Sequence, residues 1–276
     1  MARLIWKRKI KVEVAGLTIT APKMKLDIRS DVSSTPVGGE VEIWNLSSSH
    51  ERRIYDRGGD ITVSAGYGDV IGVVFKGVVD RVFRERMGMG HSVRIRVASK
   101  TAKREEGRVS GFVSIQAGKN VSLRTLVEEV VRHFKYEDEE KGDVALGSVD
   151  LIPDVEVNHE RLFGSTGIVL RNLLKDHRIG WYDDNGVIRF NKAGVVSKSS
   201  RVVFSVSNKT GMIGIPSETD EGWRVRVFMD YRATIGNRIR LKSEYVSGTF
   251  KIVGVHHFGD NWTGKFVTEM ELRRPE

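Results

Sequence analysis

Apolar and polar residues alternate along most of this chain, the two-residue period of half-buried strands. Val93-Arg94-Ile95-Arg96-Val97 is the cleanest run, and Trp223, Val225, Val227 and Met229 repeat it against Arg224, Arg226, Phe228 and Asp230. In residues 1–104 the pattern predicts strands at Ile10–Val14, Met24–Ile28, Glu40–Trp44, Ile61–Ala65, Val70–Phe83 and Ser92–Ala98. Gly38-Gly39, Gly58-Gly59 and Gly66-Tyr67-Gly68 are read as turns, and Met87–Gly90 as a hairpin turn. Gly72 and Gly77 inside the longest strand predict bends, as a curved or closed sheet needs.

From 105 to 198 the period changes. Leu123, Leu126, Val127, Val130, Val131 and Phe134 recur at helical spacing behind Ser122, a capping residue. A second helix is expected from Ser165 to about His177, with Leu170, Leu173 and Leu174 on its apolar stripe. Lys175, His177 and Arg178 lie in its last turn, where cations complement the carbonyl end. Trp181–Phe190 reads as a hairpin turning at Asn185-Gly186, and Gly142–Asn158 as a loop with short strands. Residues 199–276 return to strands at Trp223–Met229, Asn237–Leu241, Thr249–Val255 and Lys265–Leu272, at the regular intervals of a barrel or sandwich. The expected fold class is therefore mainly β with an α+β insertion, divided at 1–104, 105–198 and 199–276.

Composition narrows the chemistry. The 276 residues include no cysteine, which excludes disulfides, thiolate metal sites and cysteine catalysis. The basic N-terminus is followed by no apolar stretch of the kind a secretory signal has, and no run approaches the ~20 apolar residues of a spanning helix. The net charge is +9. Lys7, Arg8, Lys9 and Lys11 cluster first, then Arg81, Arg84 and Arg86, then Arg94, Arg96, Lys100, Lys103 and Arg104. These cations alternate with apolar residues, which reads as a solvated or partner-facing sheet surface. Nucleic-acid binding would add a stacking array or a helical reading head, and neither accompanies the charge.

Each candidate catalytic group has a plainer reading. His256 and His257 are adjacent and near Asp260, but strand neighbours point to opposite faces and cannot chelate one ion. His50 with Glu51, or Asp176 with His177, could act only if the fold gathered them. The run Glu137–Glu140 could supply a glycosidase pair but reads as a solvated acidic loop. Trp181, Tyr182, Phe190 and Trp223 are expected in cores, with an interface role open to one of them. There is no Gly-x-Ser-x-Gly nucleophile elbow and no phosphate-binding loop. The expectation is a non-enzyme with no catalytic residues, no metal and no cofactor.

Seven segments carry a resemblance. Glu42-Ile43-Trp44-Asn45-Leu46-Ser47, Gly59–Gly68 with its Ala-Gly-Tyr ending, and Val74-Phe75-Lys76-Gly77-Val78-Val79 resemble, in that order, segments of bacteriophage tail and baseplate hub proteins. Thr210–Pro216, Trp223–Met229, Gly236–Leu241 and Gly248–His257 resemble, in that order, the C-terminal part of the same family. The resemblance implies two tail-tube-like β-barrel domains bracketing a small α+β module. It implies a homotrimer forming a pseudo-sixfold ring that joins tail tube to central spike. Its partners would be further copies of itself, tail tube protein, central spike protein, baseplate wedge proteins and a tape measure protein, with DNA passing through the lumen. No membrane and no specific nucleic acid would be bound. The location implied is the virion tail baseplate, assembled in the host cytoplasm. Two alternatives stay open: a distal tail ring protein of a non-contractile phage, and a cell-wall-degrading tail enzyme.

Overall fold

The structure, a computed structural model, describes residues 7–20, 22–31, 38–87, 90–99, 112–116, 120–133, 145–157, 161–184, 187–192 and 202–274. It is mainly β, and chain contacts divide it into two units. One unit carries β1 (Arg8–Val14), β2 (Leu17–Ile19), β3 (Met24–Asp31), β4 (Gly38–Trp44), α1 (Ser48–Arg57), β5 (Asp60–Tyr67), β6 (Val70–Met87) and β7 (Gly90–Ala98). It also takes β15 (Val202–Ser207), β16 (Ser217–Thr219), β17 (Gly222–Phe228), β18 (Arg238–Lys242), β19 (Ser247–Asp260) and β20 (Phe266–Arg273). All thirteen strands belong to one sheet, whose main path is β16-β17-β20-β19-β3-β4-β7-β6-β5-β1-β2. The two β zones of the sequence are thus hydrogen-bonded together, through β19 and β3 from Gly254↔Asp31 to Asp260↔Lys25.

Alternation builds the sheet as expected. Met24, Leu26 and Ile28 on β3, Val41 and Ile43 on β4, and Val93, Ile95 and Val97 on β7 are all buried on one face. β6 is long because it serves two neighbours in succession, pairing with β5 up to Val78 and with β7 from Val78 onward. Gly77 sits at that handover, where a side chain would run into the carbonyl of Ala98. Gly38 and Gly39 are not a turn but the start of β4. Gly39 lies so close to β3 that an added Cβ would overlap the Asp27 carbonyl, which is why glycine stands there. Gly58 does end a segment, donating its N–H to Ile54 O as it caps α1.

The sheet curls. β5 and β20 are six steps apart along its path, which on a flat sheet is about 29 Å at ~4.8 Å per strand. Yet the Tyr67 hydroxyl of β5 donates to the Phe266 carbonyl of β20 at 3.0 Å, and their rings meet edge-on at 5.4 Å. Tyr67 also meets Phe228 of β17 at 6.4 Å, and Tyr231 lies against Gly72 of β6. Met229 and Phe266 are accordingly part of the same core as Ile10, Val12, Ile61 and Phe75.

The second unit holds β8 (Phe112–Gln116), β9 (Val121–Ser122), α2 (Leu123–Arg132), β10 (Ala145–Leu146), β11 (Glu156–Val157), β12 (Arg161–Ser165), α3 (Thr166–Lys175), β13 (Ile179–Asp184) and β14 (Val187–Lys192). Its core gathers Leu126, Val127, Val130 and Val131 of α2, Leu170 and Leu174 of α3, and Trp181, Ile188 and Phe190 of the β13–β14 hairpin. Leu173 is only partly buried at its edge. Ser122 caps α2 as expected, accepting from the Arg124 N–H at 3.2 Å. Ser165 is the N-cap of α3 but makes no side-chain capping bond. Phe134, the acidic run 137–140 and the turn 185–186 lie outside the described residues.

Candidate assembly surface

The face of the large sheet opposite its core is built mostly from charge, with Phe228, Val267 and Phe258 forming an apolar row across three of its strands. Reading across seven strands, it presents Arg81 and Phe83 of β6, Arg94 and Arg96 of β7, and Glu40 and Glu42 of β4. Lys25, Asp27 and Arg29 of β3 follow, then His256 and Phe258 of β19, Glu269 and Glu271 of β20, and Arg224 and Arg226 of β17. The alternation that buries Val93, Ile95 and Val97 forces Arg94 and Arg96 outward, so this face follows from the same pattern as the core.

Opposite signs mostly stand in register. Glu40 faces Arg96, Glu42 faces Arg94, Glu271 faces Arg224 and Glu269 faces Arg226. Arg226 donates to Glu269 at 2.6 and 3.1 Å, and Arg224 donates to Glu271 at 3.0 Å. Two like-signed pairs stand in this row, Arg81 opposite Arg96 and Asp27 opposite Glu40, and Asp27 turns from Glu40 toward His256 at 2.8 Å. Where β3, β19, β20 and β17 adjoin, a cleft of about 300 Å³ is lined by Arg29, Asp31, Arg224, His256, Glu269 and Glu271.

Cross-strand ion pairs of this exposure contribute little stability, about 0–1 kcal/mol each. Their effect is to keep the charged part of the face wet and to oppose wrong registers. Glu269→Gln is therefore expected to lower unfolding free energy by at most about 1 kcal/mol. Urea titration checks this, and the loss is expected to shrink at high salt.

The structure separates the two adjacent histidines as strand geometry requires. His256 is on the charged face, whereas His257 is buried opposite Thr268, with Nδ1 and the Thr268 hydroxyl 2.9 Å apart. Burial pushes the His257 imidazole down to about 4, against an opposing pull from Asp230. Thr268 Oγ1 also accepts from the Asp230 N–H at 3.0 Å, and Asp230 is held by the Arg232 guanidinium at 2.6 and 2.8 Å. This is a satisfied polar knot inside the core.

The other candidates disperse. Glu51 turns away from His50 and lies 2.8 Å from His91 Nε2, which is also 2.8 Å from the Leu46 carbonyl, and 3.9 Å from Arg84. Asp176 is the C-cap of α3, and the His177 N–H donates to Leu174 O. Trp181, Tyr182 and Phe190 are core residues, and Trp223 is half-buried. Burial raises the Tyr182 hydroxyl far above its ordinary value, so it stays neutral. Sequence reasoning passed over the β19–β20 turn, where Trp262 is exposed. A large aromatic among turn residues, Asp260-Asn261-Trp262-Thr263-Gly264, was the available signal.

The family model described as baseplate hub gp41 matches residues 39–256. Among solved structures, the tail protein from Neisseria meningitidis MC58 is similar at a TM-score of 0.66 and 10% identity, covering 98% of this chain and 97% of that one. The 43 kDa tail protein of prophage MuSo2 from Shewanella oneidensis gives 0.63 at 10% identity, with 97% of both chains covered. The E. coli c3393 protein is described as a type VI secretion component structurally similar to the T4 tail proteins gp27 and gp5. It gives 0.63 at 12% identity over 95% of this chain and 76% of that one. No curated protein sequence matches the chain.

Proposed function

The chain belongs to the baseplate hub gp41 family and has the structural role of a phage-tail baseplate hub, and from that premise we infer that it works as a homotrimer without catalytic activity. In this reading the stretches 1–104 and 199–276 are two tube-like lobes of the shared sheet, and 105–198 is an inserted module. Three copies with two lobes each form a pseudo-sixfold ring, matching a sixfold tail tube on one side and a threefold spike on the other. Wedge proteins surround the ring, a tape measure protein enters it, and DNA passes through its lumen. The place of action is the tail of the virion, with assembly in the host cytoplasm.

One observation carries the reading: a thirteen-strand sheet that curls until β5 meets β20, with a charged face across seven strands. A curled sheet with a wet face suits a ring around an aqueous channel, because such a wall needs one apolar side for its core and one hydrated side for the lumen. Ring closure further requires two unlike faces related by a closing rotation. The test is the mass of the purified protein, alone and mixed with tail tube and spike proteins of the same tail. The expected species is three times the 31.0 kDa chain, with the partners present if they drive association. A monomer at high concentration that joins neither partner contradicts it.

A further inference from the structure

The turn between β19 and β20 is fixed with unusual completeness for an exposed loop. Asp260 Oδ1 accepts from the Trp262 N–H at 2.8 Å and from the Thr263 N–H. Asn261 staples the turn to the segment before β3. Its Oδ1 accepts from the Met24 N–H at 2.8 Å, its Nδ2 donates to Pro22 O at 3.1 Å, and its own N–H donates to Met24 O at 3.1 Å. Asp260 N–H donates to Lys265 O, and Gly264 takes the positive φ of +75° that closes the loop. At its tip Trp262 is 73% exposed. Displaying an indole to water forgoes a large burial energy, and holding its backbone in one conformation removes most of the entropy that docking would otherwise lose.

The surroundings are basic. Lys265 is in the turn, Lys25 stands opposite Asp260 in register, and Arg8 donates to the Asp260 carbonyl at 3.4 Å. Lys23, between the two residues the turn grips, lies 4.8 Å over the ring of half-buried Trp44. The carboxylates at hand are Asp260, whose Oδ1 serves the turn, Glu42, opposite Lys25, and Asp27, two residues along β3 and turned to His256.

We propose that the Trp262 turn is a docking point for an acidic protein surface that offers an apolar pocket to the indole. A rigid exposed aromatic on a turn that carries and adjoins long cations is the anchor-and-rim arrangement of a protein interface. The cations select acidic surroundings and speed encounter. A membrane surface would be met by several apolar residues, but Trp262 is flanked by Asn261, Thr263 and Gly264. A nucleic-acid strand would be met by successive stacking rings, and Trp44 is half-buried under Lys23. A second copy of this chain, at +9, brings no surplus of negative charge.

The proposal rests on the hub reading, in that the partner is then another protein of the same tail. The test measures binding of the purified hub to purified tail tube protein and to purified spike protein. It compares wild type with Trp262→Ala, Trp262→Phe and the charge reversals Lys23→Glu and Lys25→Glu. Phosphatidylserine vesicles and a single-stranded oligonucleotide are run alongside, and thermal melts check that the variants fold. Wild type is expected to bind both proteins, one of them through the Trp262 turn. Trp262→Ala then weakens that binding on the order of tenfold to a hundredfold, Trp262→Phe restores part, and the charge reversals and salt both weaken it. Equal binding by wild type and Trp262→Ala overturns the docking point and leaves the hub reading standing. Failure of the wild type to bind either protein removes both. Trp262-dependent binding to vesicles or oligonucleotide alone overturns the protein-partner assignment.

Discussion

Phe266→Ala is expected to destabilise the large sheet by about 3–5 kcal/mol, the cost of truncating a fully buried aromatic that neighbours cannot collapse to replace. Phe266 is 2% exposed and belongs to the core built mainly by β1–β7. Its ring meets Tyr67 edge-on and lies 5.8 Å under the Arg8 guanidinium, and its carbonyl takes the Tyr67 hydroxyl. Removing the ring opens a cavity where the curled sheet meets itself. It therefore loosens residues on β1 and β5 that are some two hundred positions away in sequence. Phe258→Ala is the control, since Phe258 is half-buried on the opposite face of the same strand pair and stacks on His256 at 4.4 Å. Urea unfolding of both variants decides the matter. Equal losses would mean that the closure between β5 and β20 holds nothing together.

The second large effect is on pH. His257 is buried, neutral and hydrogen-bonded, with its folded-state pKa pushed down to about 4 from an ordinary 6.5, chiefly by desolvation. If the Thr268 hydroxyl donates to Nδ1, the neutral ring carries its proton on Nε2, an assignment made from the hydrogen-bond network. Because the folded pKa is depressed, the unfolded chain binds this proton first as pH falls. The stabilisation is complete above about pH 6.5 and is lost progressively down to about pH 4. The shift corresponds to about 3 kcal/mol. Between neutral pH and pH 4 the wild type should lose about that much more stability than His257→Gln, whose side chain does not titrate. Asp230, Arg232 and His256, the charged or titratable neighbours, are common to both chains. Parallel stability-pH curves would show that His257 does not carry the acid sensitivity.

The long strands were legible because burial on one side imposes a period that sequence cannot hide. Val93, Ile95 and Val97 could face only one way, and Arg94 and Arg96 then had to face the other. The helices α2 and α3 were legible from their apolar stripes. α1 was missed because Ile54 is its one buried residue, so Ser48–Arg57 carries no stripe and reads as polar linker. Its signals were the capping serine at 47 and Gly58 at its end. Gly38-Gly39 was misread as a turn because a glycine demanded by strand crowding and one demanded by a positive φ look alike in sequence. The meeting of Tyr67 with Phe266 was illegible, since no local pattern records a contact across 199 residues. The charged face was half legible. Its cations were counted, but the carboxylates that answer them lie on other strands, and only the register brings Glu269 to Arg226 and Glu40 to Arg96.

Electron microscopy of assembled tails carrying a labelled copy of this protein tests the central claim most directly. The account predicts label at the distal end of the tail tube, in three copies related by rotation about the tail axis, between tube and spike. Label elsewhere on the tail, or complete tails that lack this protein, would contradict it.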